Sequence, residues 1–135
     1  KAGRLAGKVA YLISKFGMTM VCMGLAEEHR ADNIAAHALW PETAIETAAT
    51  VNFGLGSAKH WYKSELVADA TYELVRQHPS HRTGGAHLVL DVMREAGVDD
   101  FTSYRCDPDH EPPILTVTNL PRAGGQETAG GKVTE

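Results

Sequence analysis

The chain has 135 residues, of which 43% are hydrophobic and 22% are charged, a composition typical of one globular domain with a sizeable core. The formal net charge is −4, and basic residues do not alternate with aromatic ones, so nucleic acid is not predicted as a partner. The two cysteines lie far apart and form no C-x-x-C motif, which favours a reducing compartment over a disulfide framework.

A nearly continuous apolar stretch from Val9 to Ala26 predicts a long first helix, which ends among the charged residues around His29. The stretch is long enough to approach a membrane span. However, Lys15 near its middle costs about 2.5–3.5 kcal/mol on insertion scales, and glycine, serine and threonine dilute the rest. We therefore predict a buried helix of a globular protein, packed on a sheet or at a subunit interface, and no membrane partner.

Near the start of this helix, Tyr11 and Lys15 are four residues apart, which places them on one helix face, one turn from each other. An ammonium beside a phenol favours the phenolate, and such a phenol can exchange protons with a carbonyl or an alcohol. The alternative is a half-buried tyrosine beside a lysine whose stem lies along apolar surface. Because both residues are common on helices, the Y-x-x-x-K spacing alone favours this alternative.

The next element is a short apolar run over residues 34–40, which ends at Pro41 and predicts a buried parallel strand. A helix followed by such a strand indicates an α/β sheet. Because ligands bind beyond the carboxyl ends of strands in these sheets, a site is expected after Trp40. In that segment Thr43 and Glu46 have the spacing of a capping box, which predicts a short helix. The same geometry is compatible with a functional alternative, in which backbone groups and threonine hydroxyls face a ligand.

Residues 52–63 contain two glycines and three aromatic side chains, and so long a connection is typical of a lid or a binding loop. Phe53, Trp61 and Tyr62 are candidate substrate-binding residues that would line an apolar pocket. The equal alternative is that they attach the loop to the core.

The remaining elements of the predicted domain alternate between helix and strand. An amphipathic helix is expected over residues 64–77, a strand over 86–90, a brief helix over 91–96 closed by Gly97, and an edge strand over 101–106.

Beyond Asp107 the sequence becomes rich in proline and glycine. We therefore expect a domain over residues 1–110 and a tail over 111–135 that is mobile from about Pro121. The stretch 114–120 is strand-like and is predicted to pack on a neighbouring subunit. Seven histidines are present, but none joins a cysteine or carboxylate at zinc spacing, so no metal site is predicted.

The order of these features resembles the C-terminal half of a short-chain dehydrogenase/reductase, over roughly residues 8–110. Three motifs carry the resemblance, and they are similar to the hydroxysteroid-dehydrogenase-like branch in particular: A-Y-L-I-S-K-F-G-M over 10–18, A-L-W-P over 38–41 and T-A-I-x-T-A-A over 43–49. The resemblance implies an α/β fold, the C-terminal half of a Rossmann-type doubly wound parallel sheet. It also implies hydride transfer between a nicotinamide cofactor and an apolar carbonyl or alcohol.

The same resemblance implies roles for five residues. Tyr11 is expected to be the general acid/base, and Lys15 to hold the ribose hydroxyls of the cofactor, so both contact the cofactor. Pro41, Ile45 and Thr47 match the positions that bind the nicotinamide end.

The sequence departs from the family pattern in what it lacks. No Gly-rich dinucleotide turn follows a strand, and no catalytic serine stands at the family's distance before Tyr11. Glu42 occupies a position where the family usually has glycine. We expect the chain to be part of a longer enzyme, inactive by itself, whose partners are the N-terminal half and further copies in a dimer or tetramer.

Other properties of that enzyme are expected only in outline. The expected cofactor is NAD or NADP. The residue that selects between the two is expected to lie outside the chain. A cytoplasmic location is expected because the C-terminal residues are not a peroxisomal tripeptide. The alternative function is that of a non-catalytic α/β fragment that serves oligomerisation.

Overall fold

The computed structural model describes residues 7–115 and has the α/β architecture that the sequence predicts. Its elements in chain order are helix α1 (Val9–Glu28), strands β1 (Ala38–Trp40) and β2 (Ala44–Ile45), helix α2 (Ala48–Asn52), strand β3 (Trp61–Tyr62), helix α3 (Glu65–Val75), strand β4 (Ala86–Leu88) and helix α4 (Val89–Glu95). Single turns of 3-10 helix lie at Arg30–Asp32, Ala58–His60 and Thr102–Tyr104.

The strands form two parallel pairs, β1 with β4 and β2 with β3. In the first pair Trp40 lies opposite Leu88, so the carboxyl ends of β1 and β4 meet at one edge. This parallel pairing confirms the predicted α/β class. Both strands are shorter than the patterns 34–40 and 86–90 suggest. β1 begins late because Gly84 and Gly85, with φ of 77° and 83°, interrupt the ladder before β4, and β4 ends early because α4 begins at Val89.

The core lies between α3, α4 and the second strand pair. Leu66, Ala70 and Leu74 form the buried stripe of α3, at the spacing of one helix face, which confirms the predicted amphipathic helix. The other buried members of this core are Ile45, Tyr62, Val89, Leu90, Val92, Met93 and Phe101. Burial of these apolar side chains holds the carboxyl end of β4 and the loop after β1 in one unit.

The capping box predicted at Thr43 and Glu46 is wrong. Thr43 is buried and precedes β2, whose pairing with β3 keeps the backbone extended. The helix begins later, at α2, where the Thr47 hydroxyl accepts a hydrogen bond from the Thr50 N–H at 3.2 Å. The Thr50 hydroxyl in turn accepts from the Thr47 N–H at 2.8 Å, so these two residues form the capping box.

The edge strand predicted over residues 101–106 is also wrong, except at Arg105, which forms an antiparallel bridge with Tyr62. Phe101 turns into the core instead, and its ring lies edge-on to that of Tyr62 at 6.4 Å between centroids. The Asp100 carboxylate accepts a hydrogen bond from the Thr102 N–H at 2.9 Å, which stabilises the turn that follows.

Helix α4 begins two residues before the predicted start and ends where Gly97 predicts. The Gly97 N–H donates to the carbonyl of Arg94 at 2.9 Å, and the Val98 N–H donates to that of Met93 at 3.0 Å. With φ of 89° at Gly97, these bonds form a Schellman motif. Asp91 lies within the first turn of the helix, and its carboxylate pairs with Arg94 at 2.8 Å.

Helix α1 is mostly exposed in the part of the chain described, so its burial on a sheet or at a subunit interface stays a prediction. Ala26 is the one buried residue of this helix, although the helix is long and apolar enough to cross a membrane by length and composition. Its contacts with the sheet are narrow, because β1 and β4 make only a two-stranded surface. Large apolar side chains are therefore exposed along α1: Val9, Ile13, Phe16, Met18, Met20, Val21, Met23 and Leu25.

Five residues of the predicted tail are described, and they pack on the domain. Pro112 is buried, and the Leu115 N–H donates to the carbonyl of Glu42 at 2.6 Å. Residues 116–135, with most of the predicted strand at 114–120 and the mobility predicted from Pro121, lie outside the described residues.

Candidate active site

Tyr11 and Lys15 lie on one face of α1, as their spacing predicts. The Lys15 Nζ is 5.5 Å from the centroid of the Tyr11 ring, close enough for a cation–π contact worth about 0.5–1 kcal/mol at an exposed site. Tyr11 is 59% exposed, so its hydroxyl is accessible to a ligand. The proton-transfer role of this pair stays a prediction.

A hydrogen bond between side chains attaches this helix to the end of β1. Trp40, the last residue of β1, donates from Nε1 to the Thr19 hydroxyl at 3.0 Å, and its ring packs on Phe16 at 5.3 Å. Thr19 lies one turn after Lys15 and donates to the Lys15 carbonyl at 3.3 Å. Four residues of helix span about 6 Å, so Lys15 lies near the carboxyl end of β1, where α/β sheets bind ligands.

The loop that follows β1 contains the three other predicted cofactor-binding residues. Pro41 is exposed and joins β1 to the loop, whereas the Ile45 side chain is buried in the core. The Thr47 side chain is exposed and caps α2, and Thr50 ties the loop together by donating to the Ile45 carbonyl at 2.8 Å. A ligand beyond β1 would therefore meet the backbone, rather than the side chain, of Ile45.

The three aromatic residues predicted to bind substrate are separated by the structure. Trp61 and Tyr62 form the buried strand β3, and the Trp61 Nε1 donates to the carbonyl of Leu55 at 3.1 Å. Burial raises the pKa of the Tyr62 phenol. These two residues attach the loop to the core, which is the alternative to the substrate role. Phe53 is 64% exposed at the end of α2 and alone keeps the accessibility that a substrate contact requires.

An apolar groove of about 440 Å³ runs along the second half of α1. It is lined by Met18, Val21, Cys22, Leu25, Ala36 and His37. Because Ala36 and His37 precede β1, this groove lies at the amino end of the strand, away from the end that Trp40 joins to Thr19.

Two histidines with an arginine and a glutamate form a polar network that the sequence patterns did not reveal. Glu95 pairs with Arg82 at 2.6 Å, and Arg82 donates to the His87 Nδ1 at 3.0 Å. An arginine can only donate, so His87 carries its proton on Nε2, which lies 3.0 Å from the carbonyl of Gly84 and 3.2 Å from the His37 Nδ1. Parallel pairing of the two predicted strands places both histidines on one face as diagonal neighbours. The positions of the two histidines in these strands are the sequence signal that could have predicted the contact.

Both histidines of this network have a lowered pKa. Burial lowers the pKa of His37 and that of His87, and Arg82 lowers both further. Among residues 7–115, no group of three or more histidine, cysteine or carboxylate side chains is arranged to hold a metal ion.

The lowered pKa values predict that the folded protein loses stability in mild acid. Unfolded histidines have a pKa of about 6.5, so below that pH the unfolded state binds more protons than the folded state does. The contribution of His37 and His87 to stability is therefore complete above this pH and falls as the pH drops through it. We expect the urea unfolding midpoint to decrease between about pH 7.5 and pH 5.5.

A matched pair of variants tests whether His87 contributes to this decrease of the unfolding midpoint. His87→Gln should reduce the change of the midpoint with pH, whereas His81→Gln, at an exposed histidine on the turn before β4, should leave it as in the parent. An unchanged pH dependence in His87→Gln would contradict the assignment.

No protein-family model matches the chain. Two curated proteins named hydroxysteroid dehydrogenase-like protein 2 are similar to it. The one from Danio rerio is 44% identical over 108 residues, covering 78% of this chain and 25% of the relative. The one from Homo sapiens is 39% identical over 102 residues, covering 75% of this chain and 24% of the relative.

The crystal structure of a short-chain dehydrogenase from Mycobacterium thermoresistibile is similar in fold. It aligns with a TM-score of 0.71 and 35% identity, over 87% of this chain and 42% of that one. The chain thus spans about a quarter of the length of these curated relatives and less than half of the solved one. In sequence and in fold, this chain is therefore similar to a part of a short-chain dehydrogenase.

Proposed function

We propose that this chain carries the proton-transfer pair of a nicotinamide-dependent oxidoreductase that acts on an apolar carbonyl or alcohol. The observation that supports the proposal most strongly is the position of the Lys15 ammonium over the Tyr11 ring, on a helix that Trp40 joins to the carboxyl end of β1. In an α/β sheet this is the edge at which ligands bind.

The donor set suits the cofactor. In the described part of the chain, the Lys15 ammonium forms no ion pair and the Tyr11 hydroxyl forms no hydrogen bond. Both groups are therefore available to ribose hydroxyls and to a reacting oxygen. When bound, the nicotinamide supplies or accepts the hydride.

Tyr11 and Lys15 then have different roles in the reaction. The Tyr11 hydroxyl donates its proton to the carbonyl oxygen during reduction, and the phenolate takes a proton from the alcohol during oxidation. Lys15 holds the ribose hydroxyls and stabilises the phenolate by its charge. Pro41, Ile45 and Thr47 bind the nicotinamide end, with Ile45 acting through its backbone. The proposed cofactor is NAD or NADP.

The proposed partners of this chain pack on exposed surfaces of α1 and β1. The exposed apolar side of α1 and the edge of β1 that no strand within residues 7–115 covers are surfaces on which further elements of the same enzyme can pack. We assign them to the N-terminal half of the enzyme and to a second copy in a dimer or tetramer. Phe53, which is exposed, is the candidate contact for an apolar substrate.

An activity assay of the full-length gene product tests the proposed function. We expect oxidation of NADH or NADPH in the presence of at least one member of a panel of apolar aldehydes and ketones. The 135-residue chain alone, which has neither the Gly-rich turn nor the serine, should show no turnover. Absence of turnover by the full-length protein with both cofactors would contradict the proposal.

The second candidate function is that of a non-catalytic fragment that oligomerises through α1, and the exposed apolar residues of that helix favour it. The intact mass of the protein as purified from its source separates the two. A mass near 14.6 kDa without an accompanying N-terminal fragment supports the second candidate. A mass about twice as large or more supports the dehydrogenase, because a whole domain of this kind needs both halves of the sheet.

A further inference from the structure

Glu42, the residue after Pro41, receives hydrogen bonds from two distant parts of the chain. Its carboxylate Oε2 accepts from the Leu90 N–H in α4 at 3.2 Å. Its backbone carbonyl accepts from the Leu115 N–H in the C-terminal segment at 2.6 Å. We call this pair of hydrogen bonds the Glu42 clasp.

The carboxylate supplies what the start of α4 lacks. The first N–H groups of a helix have no partner within the helix, and the residue at the N-cap position, Leu88, has no side chain that can accept a hydrogen bond. A negative charge is also favourable at a helix N-terminus. Glu42 therefore caps α4 from the neighbouring strand end, 48 residues away in the sequence.

The clasp holds the middle of a short connection. Three residues, 41–43, join β1 to β2, and Glu42 is the central one. On the far side, the loop is fixed by the buried Thr43 and by the Glu46 N–H, which donates to the Tyr62 carbonyl at 2.8 Å. Without the clasp, the connection would have fixed ends and an unsupported centre.

We propose that Glu42 is a positioning residue that sets the geometry of the loop for the nicotinamide end of the cofactor. This inference rests on the proposed function, in which Pro41 and Ile45 contact the cofactor. The Glu42 side chain points to α4, so its effect reaches the cofactor through the loop backbone. A carboxylate that bonds α4 also accounts for a glutamate where the resemblance leads one to expect glycine.

Three variants of the full-length enzyme test this role, with dissociation constants from titration with NADH and NADPH and steady-state kinetics as readouts. Glu42→Ala should raise the dissociation constant and the KM for the cofactor about tenfold, because a hydrogen bond to a charged group is lost, with kcat at saturating cofactor nearly unchanged. Glu42→Gln keeps an acceptor and should restore most of the affinity. The control is Asp99→Ala, at an exposed carboxylate that forms no hydrogen bond or ion pair within the described residues.

A purely structural role would lower the unfolding temperature without this split between KM and kcat. If Glu42→Ala is folded and its cofactor dissociation constant stays within about twofold of the parent, the inference is overturned. If Glu42→Ala does not fold, Glu42→Asp replaces it. The aspartate is one methylene too short for the Leu90 N–H, and equal affinities of the aspartate and parent proteins would overturn the inference.

Amide hydrogen exchange without cofactor separates this inference from the proposed function. In Glu42→Ala the Leu90 amide and the amides of the loop after β1 should exchange about tenfold faster than in the parent, and in Glu42→Gln they should not. If the parent binds neither cofactor, the proposed function fails and these rates decide the role of Glu42. Faster exchange then supports the clasp, and unchanged exchange overturns it.

Discussion

Replacing Tyr11 by phenylalanine is expected to lower kcat of the full-length enzyme by about 10²–10⁴-fold, the usual contribution of a positioned general acid or base. The variant loses only the hydroxyl, and the ring keeps its contact with the Lys15 ammonium, 5.5 Å from the centroid. The KM for the cofactor and the fold should therefore change little. Steady-state oxidation of NADH or NADPH with a carbonyl substrate measures the effect.

Tyr72→Phe is the matched control, because Tyr72 is exposed on α3 and donates no hydrogen bond within the described residues. It should have the activity of the parent. Equal turnover by Tyr11→Phe and by the parent would contradict the assigned role. The alternative drawn from the sequence, a tyrosine packed beside a lysine stem, would then stand.

The Tyr11–Lys15 pair was predictable because it depends on local geometry alone. Residues four apart on any α-helix share a face, so their spacing is sufficient to bring phenol and ammonium together. The attachment of that helix to β1 was not predictable, because the hydrogen bond between Trp40 and Thr19 joins side chains on two different elements. Only the fold brings these two residues together.

The loop after β1 shows where local patterns fail. Thr43 and Glu46 have the spacing of a capping box, yet Ala44 and Ile45 between them form a strand that pairs with Trp61 and Tyr62. Two residues are too few to produce an alternating pattern, so the strand is specified by its partner rather than by its own sequence. In this pairing Trp61 and Tyr62 are buried as well.

What covers α1 could not be predicted from the sequence, for a different reason. Apolar side chains on all faces of a helix indicate that other elements pack on it, but they do not show that those elements belong to the same stretch of chain. The chain aligns with 42% of the solved relative, and its two-stranded sheet covers one narrow side of the helix. The sequence therefore predicts that the apolar surface of α1 is covered, and the described residues cover only a small part of it.

Replacing Leu66 by alanine is expected to lower the free energy of unfolding by about 2–5 kcal/mol, the cost of a large-to-small change in a packed core. Leu66 is 0% exposed and belongs to the stripe of α3 that packs against α4. Urea unfolding followed by tryptophan fluorescence measures the change. The loss should exceed that of any exposed substitution on the same helix.

Val75→Ala is that exposed substitution, at the end of α3, where the side chain is 66% exposed. It should change the free energy of unfolding by no more than about 0.5 kcal/mol. Equal losses in the two variants would mean that the interface of α3 with α4 is not the core. In that case Glu42 would cap a helix with no fixed position, and the loop after β1 would lose the support on which its proposed role depends.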